Sequence, residues 1–291
     1  MTDQVPYTLT EGSFQSERKI EIYTRKYIPT GAYNTVYVFL HGVGEHCSRF
    51  HAYFDILARQ NFAVYALDHQ GHGKSGGAKF DCHSLNEYID DIAAFAKIAR
   101  ADHASSPSTR FFLSGISLGG LLAALTAATY PTEWDGLVLF APAIGIEMST
   151  TLKIQNAFAG IFGAVAPTWT IVPAVVPSLL SRNTEFTEDY IADPLNNHEN
   201  LRVRLAINIS KGMKHLETIQ DKIEMPIVIY HGDHDKVTSP RISKAFFEAL
   251  KSQDKEYKSL SGQFHCLLNE PERESTISSV IEWVQARSKV N

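Results

Sequence analysis

One serine stands between glycines in the stretch SGISLGG, residues 114–120. Apolar residues precede and follow this stretch, so the sequence predicts a buried strand, a sharp turn at Ser117 and then a helix. Gly115 and Gly119 leave room for such a turn, which would raise the serine above the sheet beside a helix N-terminus. The pattern favours nucleophilic attack by the Ser117 hydroxyl over the alternative, a tight turn with a capping serine.

A serine hydroxyl needs a base, and the candidate bases are the five histidines that follow Ser117. Of these, His265 alone lies beyond the last predicted strand, in a loop. Asp233 and Asp235 are the candidate acids, because both follow the predicted strand that ends at Tyr230. Spacing alone does not choose between them. Groups at the carboxyl ends of parallel strands meet at one edge of a sheet, so we expect the serine, the histidine and one aspartate to lie together.

Two further glycine-containing loops follow predicted strands at the same edge. In HGVGEH, residues 41–46, the glycines let the backbone bend, so the N–H groups of Val43 and Leu118 are predicted to form an oxyanion hole. The loop DHQGHGKSG, residues 68–76, lacks the order of a phosphate-binding P-loop and is interpreted as a structural boundary of the site. The histidines of these loops have no metal-ligand spacing, and we predict neither a metal nor a cofactor.

The elements that must position these residues alternate along the chain. Strands are predicted at 20–23, 36–40, 62–67, 111–113, 136–140, 226–230 and 257–260, and helices at 49–60, 85–99, 118–129, 241–251 and 275–287. Apolar strands alternating with helices predict an α/β fold, with a mostly parallel sheet covered by helices on both faces. The alternation stops near Ala143 and resumes near Pro226, which predicts a helical insertion within one domain, residues 1–291.

Composition and charge narrow the class of protein. The chain has 291 residues, of which 44% are hydrophobic and 20% charged, and this suits one large domain with a sizeable core. A net charge of −5 without a basic stripe argues against nucleic-acid binding. Three distant cysteines and a polar N-terminus predict free thiols in a cytoplasmic protein. The charge-free run 154–181 is interrupted by prolines and is not predicted to span a membrane.

Five segments in this order resemble the monoglyceride lipase family of the α/β-hydrolase superfamily. They are HGVGEHCSRF at 41–50, DHQGHGKSGG at 68–77, GISLGG at 115–120, SRNTEFTEDYIADPL at 181–195 and HGDHDKV at 231–237, with His265 following. The resemblance covers residues 10–288 and implies an α/β-hydrolase fold with a cap inserted at 149–211. Two positions depart from the family: Ile116 replaces its usual histidine, and Thr238 stands where animal members carry a cysteine near the head-group site.

The resemblance also implies roles for individual residues. It implies that Asp235 is the acid and Asp233 a loop residue, and that Glu45, Arg49 and Tyr190 help to bind the polar head of the substrate. Residues 157–176 would form an apolar lid that touches a membrane surface, together with an acyl tunnel. The expected protein is a cofactor-free serine hydrolase that converts monoacylglycerol to fatty acid and glycerol through an acyl-enzyme.

Other functions fit the same motifs. A lysophospholipase or general carboxylesterase shares the mechanism and differs in the head group. An aminopeptidase-like amidase usually has acidic cap residues for a free amine, and the long uncharged stretch of this chain argues against it. Acyl transfer to an alcohol has no separate signature in the sequence. A hydrolase-like receptor or scaffold is disfavoured because Ser117, Asp235 and His265 are all present.

Overall fold

The computed structural model describes residues 5–145, 147, 166–172, 175–197 and 200–289. The strands are β1 Tyr7–Gln15, β2 Glu21–Pro29, β3 Thr35–Leu40, β4 Phe62–Leu67, β5 Arg110–Ile116, β6 Gly136–Phe140, β7 Thr170–Val172, β8 Leu201–Arg202, β9 Ile227–Gly232 and β10 Lys255–Leu260. The helices are α1 His51–Arg59, α2 Asn86–Asp102, α3 Leu118–Thr129, α4 Thr184–Ala192, α5 Val203–Ile219, α6 Pro240–Ala249 and α7 Arg273–Ser288. Short 3₁₀ turns join several of these elements, among them Cys47–Phe50 before α1.

Eight of the described strands form one sheet in the order β1-β2-β4-β3-β5-β6-β9-β10. Within this sheet β4, β3, β5, β6, β9 and β10 pair in parallel, whereas β1 and β2 are antiparallel to their neighbours. The predicted mostly parallel sheet is therefore confirmed. Strand β1 was not predicted, because it is largely exposed and its sequence has no buried apolar face.

Alternate residues of the central strands pack against helices on opposite faces of the sheet. In β3, Val36 and Val38 face a cluster built with α2, α3, α5 and α6, while Tyr37 and Phe39 face a cluster built with α1 and α7. Strands buried on both faces need apolar residues at nearly every position, which is why these segments read as continuous apolar runs. The carboxyl ends of β3, β5, β6 and β9 lie side by side at one edge.

Between β6 and β9 lies the inserted segment, of which β7, β8, α4 and α5 are described. Most of the expected lid, 157–176, lies outside the described residues. Helix α5 continues past residue 211, the expected end of the cap, and its Gly212 packs against the main domain. A Cβ at this glycine would lie 2.4 Å from Leu85 Cδ1 and 3.4 Å from Leu125 Cδ1. No helix within the described ranges is long and apolar enough to cross a membrane.

Candidate active site

Ser117 occupies the turn between β5 and α3, with φ 54° and ψ −119°. This backbone conformation is sparsely populated by residues that have a side chain, so the surrounding structure must hold it. The Ser117 N–H donates to the carbonyl of Phe140 at 3.1 Å, and its own carbonyl accepts from the N–H of Ala143 at 2.9 Å. Both bonds tie the turn to β6 and the loop after it. Leu118, the next residue, begins α3.

Glycines let three backbones meet around this serine. A Cβ at Gly119 would lie 2.1 Å from the carbonyl oxygen of Leu40, so α3 can start beside the end of β3 only with glycine there. A Cβ at Gly42 would lie 3.3 Å from Ser117 Cβ and 2.7 Å from Glu45 Oε1. The loop after β3 therefore passes directly beside the serine, as the sequence predicts.

His265 and Asp235 form a buried pair at the same edge of the sheet. The distance from His265 Nδ1 to Asp235 Oδ2 is 2.8 Å, and both side chains are at most 3% exposed. The backbone N–H groups of Val237 and Thr238 donate to Asp235 Oδ1 at 2.7 and 3.0 Å. A histidine held in this way through Nδ1 keeps Nε2 for a second partner.

The charge of Asp235 is stabilised by its donors. Burial by itself would raise the pKa of this carboxyl. The neighbouring His265 and the hydrogen bonds from His231 and His265 outweigh burial and hold the pKa of Asp235 well below its usual range. Asp235 is thus ionised over the whole pH range in which proteins are normally handled.

Asp233 is placed differently from Asp235. Its carboxylate is exposed, lies 2.7 Å from His234 Nδ1 and accepts from the N–H of Gly262 at 2.6 Å. The contact with Gly262 joins the loop after β9 to the loop after β10 on the outside of the molecule. The geometry brings Asp235, and not Asp233, to His265, which decides the alternative that spacing leaves open.

Ser117 and His265 line one narrow pocket. Its lining consists of Gly42, Val43, Glu45, Ile116, Ser117, Val175, Leu180, Tyr190, His265 and Cys266. Apart from Glu45, Tyr190 and the serine and histidine themselves, the side chains are apolar or, at Cys266, a buried thiol. The cavity is small, about 20 Å³, and its mostly apolar lining surrounds the serine and the histidine.

Glu45 is a buried carboxyl at the wall of this pocket. Its Oε1 accepts from the N–H of Gly42 at 2.7 Å, and burial raises its pKa. The raised pKa weakens this group as a binding site for a cation. It remains a hydrogen-bonding partner for a neutral polar head.

Arg49 does not belong to the described lining of the pocket, although the resemblance implies a role in substrate binding. Its guanidinium lies over the rings of Phe186 and Tyr190, at 5.0 and 5.3 Å, and donates to Asp193 Oδ2 at 3.3 Å. The same carboxylate oxygen lies 2.9 Å from His46 Nε2. Arg49 thus joins α4 of the inserted segment to the turn before α1. Tyr190, whose ring contacts Arg49, also lines the pocket.

Two functional neighbours of Asp235 were missed by sequence reasoning. Thr238, expected near the head-group site, instead places its hydroxyl 2.8 Å from Asp235 Oδ2 and 3.1 Å from the carbonyl of Ala141. The ring of His231 lies 3.2 Å from the same carboxylate oxygen. The only sequence signal was the spacing of His231 four residues before Asp235, at the end of a strand.

Three buried histidines support the loop after β3 from behind. His41 Nδ1 donates to the carbonyl of Gly42 at 2.7 Å, and His41 Nε2 accepts from the N–H of His69 at 2.9 Å. His69 Nε2 in turn donates to the carbonyl of His41 at 3.1 Å. The ring of His72 packs within 5.4 Å of the His41 ring, centroid to centroid. His41 must be neutral, because its Nε2 accepts a hydrogen bond and so carries no proton, and burial keeps His69 and His72 neutral.

The chain is similar to known proteins over most of its length. The family profile described as "Serine aminopeptidase, S33" matches residues 32–272. The human protein named monoglyceride lipase is 30% identical over 271 residues, which cover 92% of this chain and 88% of the relative. The monoacylglycerol lipase of Mycolicibacterium smegmatis is 29% identical, over 96% of this chain and 98% of the relative.

Solved structures show the same fold. The crystal structure of Paleococcus ferrophilus monoacylglycerol lipase has a TM-score of 0.80 and 28% identity, covering 92% of this chain and 99% of that one. A monoglyceride lipase variant from Saccharomyces cerevisiae has a TM-score of 0.85 over 99% of this chain and 98% of that one, and at 18% identity it supports the fold alone. The class of protein is therefore an α/β-hydrolase. Within that class, the chain belongs to the monoglyceride lipase family.

The histidine network predicts a loss of stability in mild acid. Burial, aided by repulsion from neighbouring rings, lowers the pKa of His69 to about 3, and burial lowers that of His72 to about 4. In the unfolded chain a histidine has a pKa near 6.5, so the unfolded state binds more protons below that pH. Above about pH 6.5 the two rings therefore do not lower the free energy of unfolding. At pH 5 we expect each ring to lower it by roughly 1–2 kcal/mol.

The measurement is urea unfolding of wild type, His72→Gln and His215→Gln between pH 7 and pH 5. Glutamine is neutral throughout. In His72→Gln the loss of unfolding free energy between pH 7 and pH 5 should therefore be smaller than in wild type, by about the contribution of one ring. His215 is exposed and is the matched control for replacing a histidine. An acid loss in His72→Gln equal to that of wild type would contradict the prediction.

Proposed function

We propose that the protein is a carboxylic ester hydrolase that cleaves monoacylglycerol to a fatty acid and glycerol. The observation that carries the proposal is the pocket shared by Ser117, on its strained turn, and His265, bonded to buried Asp235. Membership of the monoglyceride lipase family, and relatives named for this activity, support the substrate.

In the proposed mechanism Ser117 is the nucleophile and His265 the base. Asp235 fixes the His265 ring through Nδ1, so Nε2 takes the proton of the serine as its oxygen attacks the ester carbonyl. The N–H groups of Val43 and Leu118 hold the oxyanion. Collapse of the tetrahedral intermediate breaks the ester C–O bond, and His265 gives its proton to the departing glycerol oxygen. Water, deprotonated by His265, then releases the fatty acid from the serine.

The pocket favours an uncharged head group. Glu45 and Tyr190 provide polar contacts at its wall, and the charge of Arg49 is engaged by Asp193. The phosphate of a lysophospholipid would meet no free cation at the described wall of the pocket. A peptide amine would need an ionised carboxylate, which the raised pKa of Glu45 disfavours. A neutral glycerol head is therefore preferred, with Glu45 and Tyr190 as its partners and Arg49 holding Tyr190 in place.

A substrate panel at one acyl length tests this function. Wild type should release fatty acid from 2-monoacylglycerol faster than from lysophosphatidylcholine or triacylglycerol, and should leave an aminoacyl amide uncut. Ser117→Ala should lower kcat by about a millionfold, because the proposed residues act as a unit. Preference for the lysophospholipid would change the substrate. Cleavage of the amide alone would contradict ester hydrolysis.

The two aspartates provide a matched test of the mechanism. Asp235→Asn should lower kcat about 10⁴-fold, since an amide leaves His265 in the wrong tautomer and its cation without a counter-charge. Asp233→Asn removes a carboxylate two residues away that is exposed and bonds to the loop, so its kcat should stay within about threefold of wild type. Steady-state kinetics on a monoacylglycerol, with near-UV spectra to confirm folding, makes the comparison. Equal losses, or the reverse ranking, would assign the acid to another residue.

We also propose that the inserted segment touches a lipid surface, from which the substrate would be taken. Its described part exposes four large apolar side chains: Trp169 at 58%, Ile171 at 48%, Val176 at 55% and Ile191 at 54%. Elsewhere in the described chain, the exposed large apolar side chains are Leu9 and Tyr130, which are less open, at 38% and 37%. Exposed apolar side chains concentrated on the segment that also supplies Val175, Leu180 and Tyr190 to the pocket fit insertion into a membrane interface.

Binding to phosphatidylcholine vesicles tests this contact. The double variant Trp169→Ser, Ile171→Ser should sediment with the vesicles at least about fivefold less than wild type, because two interfacial side chains are lost. Leu9→Ser, on edge strand β1, is the matched control for removing an exposed apolar residue. Hydrolysis of a short-chain soluble ester should be equal in all three proteins. Unchanged vesicle binding by the double variant would refute the contact.

A further inference from the structure

A second histidine touches the carboxylate proposed to orient His265. His231 is the next-to-last residue of strand β9 and is completely buried. Its Nε2 lies 3.2 Å from Asp235 Oδ2. His265 Nδ1 approaches the same oxygen from 2.8 Å. One carboxylate oxygen therefore lies between two imidazole rings, of which the mechanism so far uses only one.

The state of the His231 ring follows from its surroundings. Burial lowers the pKa of His231, and the bond to Asp235 only partly offsets this, so the ring is neutral at neutral pH. An ionised carboxylate can only accept, so the single proton of the ring must be on Nε2. Nδ1 then carries a lone pair, and it has no hydrogen-bond partner among the described residues. Because the proton on Nε2 is bonded to Asp235, the group left unpaired is the lone pair of Nδ1. Leaving this lone pair unpaired costs less than leaving an N–H unpaired.

We propose that His231 is a positioning residue, whose Nε2–H holds Asp235 Oδ2 in line with His265. The inference rests on the proposed function of Asp235 and adds a residue that acts through it. Thr238 also reaches this oxygen, but its one hydroxyl proton is shared with the carbonyl of Ala141 as an alternative acceptor. His231 Nε2 also lies 3.3 Å from Thr238 Oγ1, but the charged Asp235 Oδ2 at 3.2 Å is the stronger acceptor, and the backbone of His231 is fixed within the sheet.

Loss of this donor has two consequences. The carboxylate becomes freer to turn about its side-chain bond, so the His265 ring is oriented less well and kcat falls. The negative charge is also shared among fewer donors, so it stabilises the imidazolium of His265 more strongly. The acid limb of the kcat/KM profile then moves to higher pH. A net hydrogen bond of this kind corresponds to about a tenfold change in rate and to roughly half a pH unit.

Other ionisable groups face this centre and must be kept unchanged. They are Glu45 from the loop after β3, Cys266 beside His265 and Tyr257 from β10. Arg49 contributes from the turn before α1. The variants below alter none of them, so a difference between variants reports on position 231.

The test compares His231→Phe, which removes the donor, with His231→Gln, whose amide nitrogen can occupy the place of Nε2. We expect His231→Phe to lower kcat about tenfold with little change in KM, and to move the acid limb upward. His231→Gln should recover most of the rate and the wild-type limb. A folded Phe variant with wild-type kcat and pH profile would overturn the proposal, as would equal impairment of both variants.

A third variant and one spectrum make the test decisive in every case. If His231→Phe does not fold, His231→Asn replaces it, because its shorter amide cannot reach Asp235, and equal rates for Asn and Gln would overturn the proposal. Nitrogen-15 NMR of histidine-labelled wild type should show Nε2 protonated and Nδ1 bare in the resonances that His231→Gln removes; the opposite tautomer would refute the proposal. This readout does not require turnover, so a failure of the proposed ester hydrolysis remains distinguishable from a failure at His231.

Discussion

The close approach of β3, β5 and α3 around Ser117 is the constraint on which the site depends. A serine with φ 54° is strained, and it is held by hydrogen bonds to Phe140 and Ala143 on the neighbouring chain segments. The segment of Phe140 and Ala143 comes this close because a Cβ at Gly120 would lie 2.8 Å from Pro142 Cβ, and the loop after β3 does so because Gly42 and Gly119 have no side chain. The same closeness brings the loop of Val43 beside the serine. The proposed nucleophile and the proposed oxyanion loop are therefore products of one packing arrangement.

Around this centre, polar groups are buried only with partners. Asp235 is the clearest case, since backbone, hydroxyl and imidazole donors surround it and keep it ionised despite burial. His41 and His69 form a second example, in which neutral rings connect backbone groups of two loops. The first network needs a charge and the second cannot tolerate one. The site therefore combines a permanently charged carboxylate with a network of neutral histidines. In mild acid we expect stability to be lost through the histidines and not through the carboxylate.

Much of this architecture was predictable from the sequence. The bounds of β4, β6 and α3 agree with the predicted ones, because continuous apolar runs between glycine and polar breaks define buried elements. Strand β1 was missed because it is an exposed edge. The acid was ambiguous from spacing because Asp233 and Asp235 follow the same strand, and only the direction of each side chain separates them. The contacts of Arg49 depend on α4, which lies about 140 residues later in the chain, and no local pattern could reveal them.

The inserted segment is connected to the loop beside the serine by several independent contacts. Asp193 lies against both His46 and Arg49, and the N–H of Asn197 donates to the carbonyl of Gly44 at 2.8 Å. Gly44 directly follows Val43, the residue whose N–H is proposed to hold the oxyanion. A displacement of α4 would break the contacts of Asp193 and pull on Gly44 at the same time. The position of α4 and the geometry of the proposed oxyanion loop are thus linked, because the same few residues hold both.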